Sequence, residues 1–223
     1  MKLTAKILLL LLIIQSVSVY SQNTPITATA IRTSTALKID GLLNDEVWKK
    51  AEEIKSFTQY LPLFNTNCSQ LTEVKIAYDN DAIYVGAMLF DKFPDSIMTQ
   101  MGTRDNDLNA DYFSIQFDTY NTQQDAFNFT VWASGVQSDS RVRDATSDAV
   151  WQSVAKIGKD GWTVEMRIPY SAIRFPSKEQ QLWGMQISRS IRRNRELNQW
   201  ALQPFDVTNT LLYWGKLQGI SNI

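Results

Sequence analysis

The chain has 223 residues, enough for one sizeable domain, with 22 basic and 23 acidic side chains, no histidine and a single cysteine, Cys68. The lack of histidine excludes Ser-His-Asp and Cys-His catalysis and any histidine-ligated metal or haem. A single cysteine excludes an internal disulfide, and the balanced charge argues against a nucleic-acid-binding protein.

The first 21 residues have the pattern of a cleavable signal peptide. Lys2 and Lys6 precede an apolar run, Ile7–Ile14, and small residues follow the run up to Ser21. The run is shorter than the roughly 20 residues that a membrane-spanning helix needs. We therefore predict an exported protein that is periplasmic, outer-membrane-associated or secreted. Its predicted divisions are a signal peptide at 1–21, a leader segment at 22–35 and one domain at 36–218.

Beyond the leader segment, the chain has one helical signal and many strand signals. Asn44 and Asp45 favour the start of a short helix, because Val47, Trp48 and Ala51 follow at helical spacing. Short runs typical of strands, separated by turn residues, lie at 71–78, 82–90, 110–118, 127–133, 162–168, 182–192, 199–202 and 211–217. This pattern indicates an all-β fold, an antiparallel β-sandwich of the jelly-roll type with one or two short helices.

The predicted hairpin at 110–133 has one polar face. Alternation along its two strands places apolar side chains on one side and the following residues on the other: Tyr112, Ser114, Gln116, Asn128, Thr130 and Trp132. A pyranose ring has an apolar C–H face that stacks on an aromatic ring, and hydroxyls that need donors and acceptors. The face therefore suits a carbohydrate, although a solvated sheet face or a tryptophan beneath a loop would show the same pattern.

Several segments resemble carbohydrate-binding modules of family 9. The run Lys38–Ala51 is similar to the opening signature of these modules, and Asp160–Pro169 followed by Trp183–Arg189 is similar to their later strands. The resemblance covers about residues 36–218 and implies a β-sandwich of the kind that accompanies xylan-degrading enzymes.

The resemblance also implies particular binding residues. Family members hold the ligand between two tryptophans; Trp200 resembles one of them, and Trp132 would replace the other. Gln186 lies where the family has an amide. Together with the polar face, this predicts six carbohydrate-binding residues: Tyr112, Gln116, Asn128, Trp132, Gln186 and Trp200.

A subset of these modules implies possible partners. Phe117–Tyr120, Pro169–Phe175 and Trp214-Gly215 resemble modules of Bacteroidetes-type exported proteins that precede a region like an outer-membrane β-barrel. The expected function is a non-catalytic domain that binds an oligosaccharide or polysaccharide during polysaccharide degradation. The alternatives are a periplasmic interaction domain of an outer-membrane barrel protein and a component of a glycoside hydrolase, so that the partner would be a barrel or a catalytic domain.

Acidic residues provide two further hypotheses. Asp105, Asp107 and Asp111 alternate with asparagines in a predicted loop, which indicates either a structural calcium site or a solvated acidic loop. Glycoside hydrolysis needs two nearby carboxyl groups, one with a raised pKa. The only acid in the middle of a strand, Glu165, is predicted to point outward opposite Arg167, so no catalytic residue is predicted.

Overall fold

The structure is a computed structural model that describes residues 25–144 and 146–223. Its one α-helix in these ranges is α1 (Glu46–Lys50), and its strands are β1 (Thr27–Thr29), β2 (Ile31–Arg32), β3 (Thr58–Leu61), β4 (Thr66–Asn67), β5 (Thr72–Tyr78), β6 (Ala82–Phe90), β7 (Tyr112–Asp118), β8 (Phe127–Trp132), β9 (Gln137–Arg141), β10 (Gln152–Gly158), β11 (Gly161–Pro169), β12 (Trp183–Ile191), β13 (Glu196–Gln199) and β14 (Gly215–Gln218). Short 3-10 helices lie at Pro94–Ser96, Tyr170–Ala172, Arg192–Asn194 and Thr210–Tyr213.

The strands form two sheets, which confirms the predicted β-sandwich. The first sheet has the order β4-β3-β13-β12-β7-β8-β9, and β14 pairs with both β12 and β1. The second sheet has the order β10-β11-β6-β5-β2. All ladders between these strands are antiparallel except β1–β14 and β2–β5, which are parallel.

The main core lies between the two sheets, where the apolar faces of their strands meet. The alternation predicted for β7 and β11 is confirmed, because Phe113 and Ile115 from one sheet and Val164 and Met166 from the other are fully buried. The predicted central strand, β6, is covered on both faces. Val85 lies in the main core, whereas the following apolar residues form a second cluster behind the second sheet: Leu37, Trp48, Ala51, Ala77, Ala82 and Tyr84.

Glu165 is buried beneath the N-terminal segment that contains Asp40, Gly41 and Trp48. The prediction that this acid points outward, with no sign of burial, is corrected on the second point. Its side chain does point away from the main core, but its exposed fraction is 0% because α1 and the preceding turn cover it. One carboxylate oxygen accepts the backbone N–H groups of Asp40 and Gly41 at 2.9 and 2.8 Å. The other accepts the indole N–H of Trp48 at 2.9 Å. A single buried carboxylate thus attaches the N-terminal segment to the second sheet.

Arg189 connects the two sheets in a similar way. It lies on the inner face of β12, is fully buried, and donates through one guanidinium nitrogen to the carbonyl of Leu71 and the hydroxyl of Thr72. The other terminal nitrogen donates to the carbonyl of Phe90 at 2.7 Å. Burial lowers the pKa of Arg189 to about 10, while the nearby carboxylates of Asp91 and Asp111 act in the opposite direction.

The boundaries of the domain also differ from the prediction. Strands β1 and β2 lie in the stretch interpreted as a leader, yet each pairs with a strand of the sandwich. The fold therefore begins before residue 36, because backbone pairing and the burial of Ala28 and Ala30 in the main core incorporate these short segments. The predicted signal peptide lies outside the described residues. None of the helices within residues 25–144 and 146–223 is long and apolar enough to cross a membrane.

We expect Glu165→Ala to lower the free energy of unfolding by about 3 kcal/mol, because three N–H donors, two of them buried, lose a charged acceptor. Denaturant unfolding measures this loss. Glu179→Ala is the matched control, since Glu179 is exposed, and its effect should stay within about 0.5 kcal/mol. Equal stability of the two variants would contradict the structural role of Glu165.

Candidate functional site

The outer face of the first sheet is polar over its central strands. The register places Gln116 of β7 between Asn128 of β8 and Gln186 of β12. The next outward position is Ser114, which lies between Thr130 and Ser188 in the same way. A third row contains Trp132, Tyr112 and Ser190. The structure therefore brings five of the six predicted binding residues onto β7, β8 and β12, along one face of the sheet.

Asn128 is the centre of a hydrogen-bonded network within this face. Ser114 donates its hydroxyl hydrogen to the Asn128 side-chain oxygen at 2.7 Å, and Thr130 donates to Ser114 at 3.1 Å. The Asn128 amide nitrogen lies 3.4 Å from the hydroxyls of Thr130 and Ser140. These side chains satisfy one another, so Asn128 orders the face and is less free to bind a ligand.

A cavity of about 580 Å³ lies over the end of the face that contains Gln116, and we call it the glutamine cavity. Its volume falls in the range of small-molecule sites. Side chains of β7, β12 and β13 form its base, and three loops surround it. The lining residues are Gln116, Gln123, Gln124, Val142, Arg143, Gln186, Ser188, Gln199, Gln203, Thr208, Asn209, Thr210, Leu211 and Trp214.

The base of the glutamine cavity contains engaged and unengaged polar groups. Gln186 is engaged, because its amide donates to the carbonyl of Ala201 at 2.6 Å and accepts the N–H groups of Ile187 and Ala201. Gln116 and Ser188 are partly exposed, and no hydrogen bond within the described residues engages their side chains. Gln186 therefore positions the segment after β13, while Gln116 and Ser188 remain available to a ligand.

A second cavity, of about 470 Å³, lies at the opposite end of the face, and we call it the tyrosine cavity. Tyr112 and Trp132 border it together with Arg192 and Arg195, and the two rings meet edge-on with centroids 6.3 Å apart. Burial raises the pKa of the Tyr112 hydroxyl, with a smaller contribution from Asp107. Trp132 is only 4% exposed, so it does not offer the open stacking surface that the sequence suggested.

Trp200 is absent from the outer face, which corrects its predicted position. Its exposed fraction is 4%, and it belongs to the main core cluster. A Cβ atom added at Gly215 would overlap the Trp200 ring, which shows how closely β14 packs against it. Gln199 pairs with Ser188 on the outer face, so alternation along the strand places the next residue, Trp200, on the inner face, where its backbone N–H donates to the carbonyl of the core residue Ile187.

The three aspartates of the predicted calcium loop have separate surroundings. Asp111 is buried and accepts the backbone N–H of Arg192 at 2.8 Å, and burial raises the pKa of its carboxyl group. Asp105 accepts the backbone N–H of Asp139 at 2.9 Å. Across residues 25–144 and 146–223, no group of three His, Cys, Asp or Glu side chains is arranged to hold a metal ion. Structural calcium therefore stays a prediction.

An exposed group of three aromatic rings lies at the β3 edge of the first sheet, and we call it the aromatic cluster. It consists of Tyr60, Phe64 and Phe205, with Phe205 4.6 Å from each of the other two ring centroids. Sequence reasoning missed it because the rings come from segments about 140 positions apart, and neither segment alternates. The only local signal was a proline near each aromatic segment, because Pro62 lies two residues from Tyr60 and from Phe64, and Pro204 directly precedes Phe205.

This β-sandwich, with a cavity over the polar face of one sheet, is the architecture of a binding module. Residues 39–210 match the model of the carbohydrate family 9 binding domain-like family, and the chain belongs to that family. The resemblance stated from Lys38–Ala51 and the later strands is thereby confirmed. No curated protein matches the chain with significance.

Solved structures show the same fold at low identity. A carbohydrate-binding module of family 9 from Caldicellulosiruptor kristjanssonii, solved with cellotriose, is 17% identical with a TM-score of 0.63, covering 88% of this chain and 95% of its own. The module from that organism solved with glucose has a TM-score of 0.61, 16% identity and coverages of 88% and 98%. A candidate carbohydrate-binding protein from Bacteroides uniformis has a TM-score of 0.65, 10% identity and coverages of 87% and 99%.

We expect Trp200→Ala to lower the free energy of unfolding by about 3 kcal/mol or more, because it removes a large buried side chain from the core. Thermal and denaturant unfolding measure this effect. Trp200→Phe, which keeps an aromatic ring, should lose less. A Trp200→Ala protein as stable as the wild type would contradict the placement of this residue in the core.

Proposed function

We propose that this protein is a non-catalytic carbohydrate-binding domain and that the glutamine cavity is its binding site. The observation that carries the proposal is the pair Gln116 and Ser188, two unengaged polar side chains at the base of a cavity of about 580 Å³. An amide and a hydroxyl both donate and accept, which matches the hydroxyl groups of a sugar. Trp214, which is 4% exposed, also borders this cavity.

Family membership supports this choice of ligand. The Caldicellulosiruptor module of the same family was solved with glucose and with cellotriose. We therefore use glucose and its short oligomers as the first probes, and short oligomers of xylose as the second. The chemistry of Gln116 and Ser188 suits both series, because both present equatorial hydroxyls around a pyranose ring.

The non-catalytic part of the proposal rests on the carboxylates. Glu165, the acid in the middle of β11, is fully buried and binds three N–H groups, so it cannot reach a substrate. The lining of the glutamine cavity contains no Asp or Glu among the described residues. Hydrolysis of a glycosidic bond normally requires two carboxyl groups at the site. The cavity is therefore proposed to hold a glycan without cleaving it.

We further propose that binding serves polysaccharide degradation at the cell envelope. The signal-peptide pattern of residues 1–21 supports export. In this setting the domain would hold a glycan near a partner, either an outer-membrane barrel or a catalytic domain.

We expect a saturable change in tryptophan fluorescence when the protein is titrated with cellotriose, because Trp214 borders the glutamine cavity. Gln116→Ala and Ser188→Ala should each weaken binding by about 5–10-fold, the effect of losing one neutral hydrogen bond of roughly 1 kcal/mol. Isothermal titration calorimetry on the same variants gives the dissociation constants.

Gln152→Ala is the matched control, because Gln152 is an exposed glutamine of β10 in the second sheet. It should bind as the wild type does. The absence of a response to both the glucose and the xylose series would overturn the proposed function. If Gln116→Ala and Ser188→Ala bind cellotriose as tightly as the wild type does, the binding site lies outside the glutamine cavity.

A further inference from the structure

The aromatic cluster exposes more apolar surface than its position in the fold requires. Phe64 is 41% exposed and Phe205 is 49% exposed, and the Tyr60 ring lies against both. None of the three rings belongs to the apolar clusters that stabilise the sandwich. A contiguous apolar surface that is exposed to solvent and does not contribute to the core is typical of binding sites.

The position of the aromatic cluster connects it to the polar face. Strand β3, which carries Tyr60, pairs with β13, and Thr58 lies opposite Gln199 of the glutamine cavity. Phe205 belongs to the loop that supplies Gln203 and Thr208 to the rim of that cavity. The cluster therefore lies at the edge of the first sheet, beside the glutamine cavity.

From the geometry we infer that the aromatic cluster is a second contact for the glycan, so that the full site takes a soluble single chain of several pyranose units. This inference rests on the proposed function. An aromatic ring offers the apolar surface on which the C–H face of a pyranose ring stacks. The glutamine cavity offers the hydrogen bonds, and the two predicted tryptophans are too buried to supply the stacking.

The distance between the two contacts sets the minimum length of the ligand. Three steps between neighbouring strands separate β7, which carries Gln116, from β3, which carries Tyr60. At roughly 4.8 Å per step, they span about 14 Å. One pyranose ring is shorter than this span, so glucose bound near Gln116 cannot reach the aromatic cluster, whereas an oligosaccharide can.

The mutual tilt of the rings selects the physical form of the ligand. The ring planes of Phe205 make angles of 39° with Tyr60 and 46° with Phe64, and Tyr60 and Phe64 differ by 74°. A flat crystalline polysaccharide surface can lie against only one of three such rings. A single chain can rotate at each glycosidic linkage, so that successive units can face differently tilted rings.

We therefore propose a chain-length series, from glucose to cellotetraose, titrated by calorimetry into the wild type and into the double variant Phe64→Ala/Phe205→Ala. In the wild type, the affinity should rise from glucose to cellotetraose. The double variant should bind glucose as the wild type does and should bind cellotetraose about 10-fold more weakly. Neither protein should sediment with crystalline cellulose.

Phe93→Ala is the matched control, because Phe93 is 64% exposed and has no aromatic neighbour among the described residues. Thermal unfolding of each variant checks that it is folded, and Phe205→Tyr should retain the wild-type affinity because it keeps a stacking ring.

Three results would overturn the inference and leave the proposed function intact. The first is a wild type that binds glucose and cellotetraose with equal affinity. The second is a double variant that binds cellotetraose as tightly as the wild type does. The third is sedimentation of the protein with crystalline cellulose that depends on Phe64 and Phe205. The second result would assign the exposed rings, with the neighbouring Leu61 and Leu63, to a protein partner. Failure of the wild type to bind any glycan would overturn the proposed function and this inference together.

Discussion

The alternation of side chains along β7, β8 and β12 is the constraint on which the site depends. In each strand every second residue enters the core, so the residues between them must lie on the outer face. A shift of one residue in the register would exchange the two faces, and burial of Phe113 and Ile115 prevents that shift. The same packing that stabilises the sandwich therefore holds Gln116 and Ser188 at the base of a cavity, where they can bind a ligand.

The N-terminal segment covers the outer face of the second sheet over its central strands. Glu165 binds the turn at Asp40 and Gly41 and the indole of Trp48, and this turn and indole belong to the motif that resembles the opening signature of family 9 modules. The physical role of that motif is thus to cover one sheet. Arg189 connects the two sheets from inside the sandwich. Together these contacts hold the N-terminal segment and the two sheets in place.

Much of the fold and part of the site could be predicted from the sequence. Strands such as β7 and β11 alternate strictly, so their faces were correctly assigned. The covered position of Glu165 could not be predicted, because burial of an outward side chain depends on a segment more than 100 residues away. The same reason applies to the rings of the aromatic cluster, which two distant segments of the chain bring together. Trp200 was assigned from the resemblance alone, and it lies inside because it follows the outward Gln199.

The polar face also shows why residue type alone is a weak guide to function. Asn128 and Gln186 have the amide groups that sugar binding requires, but other parts of the protein already use those groups.

The central claim of this account is that the glutamine cavity binds a sugar. A crystal structure of the protein with cellotriose would test this claim most directly. The account predicts a sugar ring in the glutamine cavity, within hydrogen-bonding distance of Gln116 and Ser188. A sugar bound on the second sheet, or a ligand that makes no contact with β7 and β12, would contradict it.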